Sequence, residues 1–279
     1  MPIEKDGRTL RKKLNDHFSD KEFLISYYEK HQKFPLFTQV LIETRTDCNL
    51  KCSFCPQTHH KRNVEIMEWN IFVKIIESLS SIEFGGRIAL LVSNEPLLEK
   101  RLNKMIRFSK RTSARFFLDL TTNGTLLSLE NVDELIESGL DNLNINDYRA
   151  DREKEPNIVS ENLLPILEKY RGNPKIIYNS RSTNEILPNY AGVIKQTCNP
   201  KEYGFCNYPF RKIVFSMTGD VLLCCNDFKH ETTFGHIMEQ EIKSIWNSIE
   251  LDQIRLNLLN GNRDGLCSKC NEVQSYEVF

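Results

Sequence analysis

Three cysteines in one short loop do most to limit what this chain can be. Cys48, Cys52 and Cys55 stand in RTDCNLKCSFCPQ with C-x3-C-x2-C spacing, directly after a predicted first strand from Phe37 to Glu43. Three thiolates this close can hold a cubane [4Fe–4S] cluster by three of its irons and leave the fourth open to a small molecule. Zinc is the competing use of such a loop. It wants a fourth ligand nearby, which His59 or His60 would supply. The chain has nine cysteines, an odd number, and no apolar export segment at its N-terminus. A disulfide framework is therefore a poor fit, and metal or redox chemistry in a reducing cytoplasm a better one.

The segments after this loop alternate between strand and helix patterns. Strands are predicted at Arg87 to Ser93, Arg115 to Thr121, Leu140 to Asn146 and Lys175 to Ser180. Helices are predicted at Glu68 to Ser80, Glu99 to Arg111, Ser128 to Ser138 and around Ile158 to Tyr170. Such units argue for an α/β fold, a parallel sheet covered by helices, with its functional residues at the strand C-terminal ends. Before them, residues 1–35 read as a helical lead-in. Leu10, Leu14, Phe18, Phe23 and Leu24 recur at roughly helical spacing, Pro35 stops the helix, and the stripe is expected to pack on the main domain. After about residue 190, Phe210 to Ser216 and Asp220 to Leu223 flank a Thr218-Gly219 turn and predict a β-hairpin. A helix from Glu241 to Leu259 follows. The expected division is 1–35, 36–195 and 196–279.

Charge and hydropathy remove other classes. With 37 basic and 38 acidic residues the net charge is −1, without the cationic excess that nucleic-acid binding draws on. No run of about 18 apolar residues suggests a membrane span.

A second group of cysteines lies in the C-terminal part: Cys206, Cys224, Cys267 and Cys270. The hairpin and the terminal C-x2-C can converge into one four-thiolate site, which by ligand type suits zinc or an iron–sulfur cluster equally. Cys225 adjoins Cys224, and neighbours in a strand point to opposite faces. It is thus expected to look away from that site, either as a structural thiol or toward the barrel mouth as a hydrogen donor. Cys198 reads as a loop thiol or a substitute ligand.

Taken together, these residues resemble radical S-adenosylmethionine (radical SAM) enzymes. The cysteine loop matches their signature, including the aromatic Phe54 before the third cysteine. Where the family has Gly-Gly-Glu-Pro to hold the methionine amino group, this chain has Ser93-Asn94-Glu95-Pro96, both glycines being replaced. The resemblance assigns Thr122-Asn123-Gly124 and Asn144 to the ribose and Arg181 to the cofactor carboxylate. It implies a partial (β/α) barrel of six parallel strands, of which five are evident before residue 195. Cys206, the hairpin, Cys224 and the terminal C-x2-C are similar to the SPASM/twitch extension. Because the nine residues after Cys270 hold no further cysteine, the shorter twitch type with one auxiliary [4Fe–4S] cluster is implied.

The same resemblance implies that a 5′-deoxyadenosyl radical abstracts hydrogen from a substrate C–H. Oxidation of a carbinol in a sugar-like or aminocyclitol-like small molecule is the leading expectation, with flavodoxin or ferredoxin as electron donor. The alternatives are epimerisation of a sugar or peptide with Cys225 as hydrogen donor, modification of a ribosomal peptide, and a non-catalytic zinc or Fe–S module. Residues 1–35 show no obvious leader-binding domain. Asn146-Asp147-Tyr148-Arg149, placed after the fourth strand, are candidate substrate contacts. His59-His60-Lys61-Arg62 reads as a solvated basic run, and Asp227, His230 and His236 as structural.

Overall fold

The sixth parallel strand comes from the hairpin. In the computed structural model, which describes residues 18–149, 158–183, 188–195 and 205–272, one seven-stranded sheet has the order β5-β4-β3-β2-β1-β6-β7. The strands are β1 (Gln39–Ile42), β2 (Arg87–Ala89), β3 (Phe117–Thr122), β4 (Asn142–Arg149), β5 (Ile176–Ser182), β6 (Lys212–Phe215) and β7 (Val221–Leu222). Every pairing is parallel except β6 with β7. Five strands alone would leave β1 as an open edge with unpaired backbone groups. β6 covers that edge from Gln39↔Lys212 to Ile42↔Phe215. The protein is an open, mostly parallel α/β barrel-like fold with a C-terminal part attached through the same sheet.

Each strand alternates its side chains. Val40, Ile42, Ile88, Leu118, Leu120, Leu143, Ile145, Ile213 and Phe215 belong to the main apolar core. They face the helices α3 (Trp69–Ser81), α4 (Leu102–Thr112), α5 (Leu129–Glu137) and α6 (Leu164–Lys169). Alternation sends the residues between them to the inner face. There Leu41, Ala89, Val214 and Leu222 form a small apolar cluster joined by Val92 and Cys225. Beside it lies a buried polar layer. Asp119 pairs with Arg87 and accepts from the amides of Asn142 and Asn144.

Close approach governs the start of β2. A Cβ on Gly86 would overlap the Thr38 carbonyl oxygen and the Phe84 ring. Gly86→Ala is expected to lower stability by about 1–3 kcal/mol through overpacking. A denaturant midpoint equal to the parent's would show that the backbone yields there at no cost.

Several sequence expectations shift. The lead-in helix is α1 (Lys21–His31), capped by Asp20 and ended by left-handed Gln32, before Pro35. It packs on the C-terminal part: Phe18, Leu24 and Phe34 cluster with Phe210, Leu258 and Leu259. Leu10, Leu14 and Cys198 lie outside the described residues. The helix around Ile158 to Tyr170 is shorter, with a 3-10 turn at Glu161–Leu163 before α6. The single helix at 241–259 is two, α7 (Ile242–Trp246) and α8 (Ile249–Leu259), because Ser248 is extended. The fully buried Arg255 donates to the freed Trp246 carbonyl at 2.7 Å and stacks on its indole. Strand β4 runs on to Arg149, so Asn146 to Arg149 lie within it, paired with β5.

Candidate active site

The loop after β1 carries the three cysteines, and its last thiol position opens a short helix, α2 (Pro56–His59), with proline at the first turn. Asn123 Nδ2 reaches Cys48 Sγ at 3.7 Å and Asn49 Oδ1 at 2.9 Å. Ser53 Oγ donates to the Thr183 carbonyl at 2.7 Å, and the Gln57 amide to those of Thr46 and Ser93. The loop is therefore fastened to the ends of β2, β3 and β5. Cys48 and Cys55 are raised in pKa, first by burial and then, for Cys55, by the neighbouring Cys48. The two histidines offered as a fourth zinc ligand are engaged elsewhere. His59 Nε2 meets the Ser53 carbonyl, and the His60 ring lies edge-on to Phe228.

At the end of β2, Ser93 presents a buried hydroxyl with no hydrogen-bond partner among the described residues. Asn94 is turned into its own loop, accepting from Val92 N and donating to Thr44 Oγ1. The Glu95 carboxylate, 2 % exposed, accepts from Thr122 Oγ1 at 2.7 Å, Asn123 N at 2.9 Å and Leu97 N at 3.0 Å. Burial raises its pKa even though these donors oppose the shift. So Glu95, Thr122 and Asn123 form one unit, and Glu95 spends its lone pairs inside the protein. Asn144 sits in the inner polar layer on Asp119, and Arg181 projects from the inner face of β5 opposite Tyr148. Phe54 packs against the Tyr148 ring at 5.3 Å.

Cys206, Cys224, Cys267 and Cys270 line one pocket of about 340 Å³, open mouth included, together with Tyr208, Asn226, Arg263 and Glu272. Asn226 Nδ2 and Glu272 N approach Cys270 Sγ at 3.8 and 3.4 Å. Burial, then the neighbouring thiols, pushes Cys206 up to about 11, Cys267 to about 12 and Cys224 well above the ordinary range. Four thiolates gathered in such a place repel one another unless they bind cations. Among the described residues no three His, Cys, Asp or Glu side chains are grouped to hold a single metal ion. Cys225 packs with the inner-face cluster and is not among the residues that line this pocket, but it lies past β7, where the chain turns, so the strand alternation expected for Cys224 and Cys225 does not extend to them.

One feature escaped the sequence reading. Glu43, 1 % exposed, follows Gln39 and Leu41 onto the inner face and holds Arg62 through both oxygens. His230 Nε2 lies 3.2 Å from the same carboxylate, and the Arg62 guanidinium stacks on Phe228 at 4.5 Å. Arg62 and His230 thus link the cysteine loop to the hairpin's outer loop: Arg62 is drawn out of the solvated basic run, and His230 takes a structural place. The signal was present: a period of two from Gln39 puts Glu43 inside. Asp227 and His236 hold local turns, Asp227 accepting from Glu231 N, Thr232 N and Thr232 Oγ1, His236 meeting Thr218 O. Burial, and after it the charges of Cys55, Cys225, Tyr148 and Glu272, pushes the Tyr190 hydroxyl far above the usual tyrosine range.

A barrel-like sheet whose strand ends hold a three-cysteine loop, with a four-cysteine pocket in the C-terminal part, offers thiol ligand sets for two metal centres. The model of the radical SAM superfamily matches residues 42–188, and that of the SPASM iron–sulfur cluster-binding domain residues 206–271. The chain belongs to the radical SAM superfamily. It is similar to the S-adenosyl-L-methionine-dependent 2-deoxy-scyllo-inosamine dehydrogenase of Niallia circulans, 28% identical over 242 residues, 85% of this chain and 94% of the relative. A tungsten-containing aldehyde ferredoxin oxidoreductase cofactor-modifying protein of Pyrococcus furiosus is 34% identical over 106 residues, 36% of this chain and 28% of that protein. The crystal structure of BtrN with AdoMet and 2-DOIA superposes with a TM-score of 0.75 at 26% identity, covering 88% of this chain and 98% of that one. Membership implies S-adenosylmethionine, a [4Fe–4S] cluster that binds it and an auxiliary cluster.

Proposed function

We propose that this enzyme oxidises a carbinol of an aminocyclitol-like small molecule to a ketone. The observation that carries the reading is that one chain holds a three-cysteine loop fastened to the strand ends of a parallel sheet and a four-cysteine pocket in its C-terminal part. The Niallia dehydrogenase, similar along nearly its whole length, supports the substrate class. Cys48, Cys52 and Cys55 would hold the first cluster, and Cys206, Cys224, Cys267 and Cys270 the auxiliary one. The buried, unpartnered Ser93 hydroxyl suits the methionine amino group. When bound, these groups supply a 5′-deoxyadenosyl radical for hydrogen abstraction and an acceptor for the second electron.

The chain's own residues do the positioning. Glu95 holds the Thr122-Asn123 turn toward the ribose, and Asn123 ties that turn to Cys48. Asn144 and Arg181 would complete the cofactor contacts, and Phe54 the wall on which Tyr148 rests. The Arg62–Glu43–His230 link keeps the two loops in register. Residues 36–195 would form the catalytic unit and 196–279 the auxiliary unit, with flavodoxin or ferredoxin as reductant. Among the described residues no helix is long and apolar enough to cross a membrane; the unpaired thiols suit a reducing cytoplasm.

The test is anaerobic reconstitution, iron and sulfide counting, and incubation with S-adenosylmethionine, reductant and 2-deoxy-scyllo-inosamine. About eight irons, 5′-deoxyadenosine and a ketone product are expected. Zinc without iron, or cofactor cleavage without ketone, would sink the dehydrogenase reading. The inner-face position of Cys225 favours one second reading, epimerisation with its thiol returning hydrogen. That reading requires solvent deuterium at an inverted carbon, lost in Cys225→Ala.

A further inference from the structure

Two donors and one cation converge on a single cysteine of the C-terminal pocket. Asn226 Nδ2 lies 3.8 Å from Cys270 Sγ and 3.2 Å from Glu272 Oε2. Glu272 N donates to the same sulfur at 3.4 Å. The Arg263 guanidinium donates to the carbonyls of Cys270 and Glu272 at 3.2 and 2.9 Å. Asn226, Arg263 and Glu272 all line the pocket with the four cysteines.

The direction of the Asn226 amide follows from its neighbours. A carboxylate and a thiolate accept hydrogen bonds and have none to give, so the amide nitrogen, with its two hydrogens, faces them. Asn226 is 5 % exposed, and burial keeps water from replacing either bond. Its backbone is set as well. It stands in the turn from Cys224 to Asp227, closed by Asp227 N on the Cys224 carbonyl at 3.2 Å. One side chain therefore reaches from the turn that carries Cys224 to the segment that carries Cys270.

A hydrogen bond to a ligating sulfur, or a positive charge nearby, favours the more negative, reduced form of an iron–sulfur cluster and raises its reduction potential. The Glu272 carboxylate acts in the opposite sense, and the Asn226 amide partly offsets it. On the dehydrogenase reading, a ketone forms when the substrate radical loses its hydroxyl proton and one electron, and the auxiliary centre takes that electron. Resting on that reading, we infer that Asn226 raises the reduction potential of the auxiliary cluster through its hydrogen bond to Cys270, acting with the Arg263 charge to make the cluster an electron acceptor.

Asn226→Leu in the reconstituted full chain tests this, because leucine fills a similar volume and donates nothing. Each form is titrated with reductant and followed by electron paramagnetic resonance, the auxiliary signal being the one that S-adenosylmethionine leaves unchanged. An about tenfold smaller equilibrium constant for one-electron reduction is expected, a shift of about 59 mV downward. The potential of the first cluster should match the parent's. Asn226→Gln, which keeps an amide donor, should fall between the two. With 2-deoxy-scyllo-inosamine as probe, the yield of ketone per 5′-deoxyadenosine should fall in the same order. An auxiliary potential in Asn226→Leu equal to the parent's overturns the inference. Asn226→Ala is measured alongside, and loss of the pocket's irons in both variants overturns the inference by assigning Asn226 to assembly of the site. A parent with no iron in the C-terminal pocket sinks the auxiliary-cluster assignment and this inference with it. A parent with both clusters that makes no ketone sinks the dehydrogenase reading, and the use inferred for the raised potential.

Discussion

Replacing Cys48, Cys52 and Cys55 together with alanine is expected to abolish 5′-deoxyadenosine formation and to remove about four of about eight irons per chain. The loop is held by contacts that do not need its sulfurs: Ser53 to Thr183, Gln57 to Thr46 and Ser93, Asn49 to Thr125. The fold should therefore survive, and the four irons of the C-terminal pocket should remain. Iron analysis and chromatography of the quenched reaction check both halves. Residual 5′-deoxyadenosine at the parent rate would remove these cysteines from the reaction. Loss of all iron would mean that the two sites assemble as one.

Glu95→Ala is the second large effect. The carboxylate is the acceptor for Thr122 Oγ1, Asn123 N and Leu97 N, and its removal strands three donors in a buried place. Each such donor costs about 1–3 kcal/mol when nothing replaces the acceptor. A loss of about 3 kcal/mol or more is expected in chemical denaturation, with 5′-deoxyadenosine formation reduced about a hundredfold or more as the Asn123 turn moves. Glu95→Gln separates the roles, since its carbonyl oxygen keeps Thr122 and Leu97 while its amide nitrogen faces the Asn123 N–H. Burial raises the folded pKa of Glu95. Its contribution is thus fully present below the unfolded glutamate pKa and falls away as pH rises through the raised folded value. The stability gap between parent and Glu95→Gln should widen in the parent's favour toward acid pH. A gap that does not vary with pH would show that folding leaves the Glu95 pKa unchanged.

Much of this was legible in the chain. The strand–helix alternation from Phe37 to Ser182 rests on local periodicity, and periodicity is written in neighbouring residues. The cysteine loop is local too, as is the Ser128 cap that opens α5 at its expected start. The separate settings of Cys224 and Cys225 did not follow from strand geometry, because both lie past β7, where the chain turns.

Other features depend on which surfaces meet after the chain has turned many times. Nothing between Phe210 and Ser216 says that this strand will lie beside β1; that follows from the open edge of a five-stranded sheet and from the apolar faces of Ile213 and Phe215. The division of the last long helix depends on Arg255 finding the Trp246 and Pro209 carbonyls, partners set by packing rather than by spacing. Glu95 reads as a free carboxylate until β3 brings Thr122 and Asn123 onto it. Local sequence determined the elements, the turns and the candidate ligands. The tertiary structure decided the sixth strand and the Arg62–Glu43–His230 link, because each is a contact between segments far apart in the chain, paid for in loop-closure entropy and recovered only when both faces are buried.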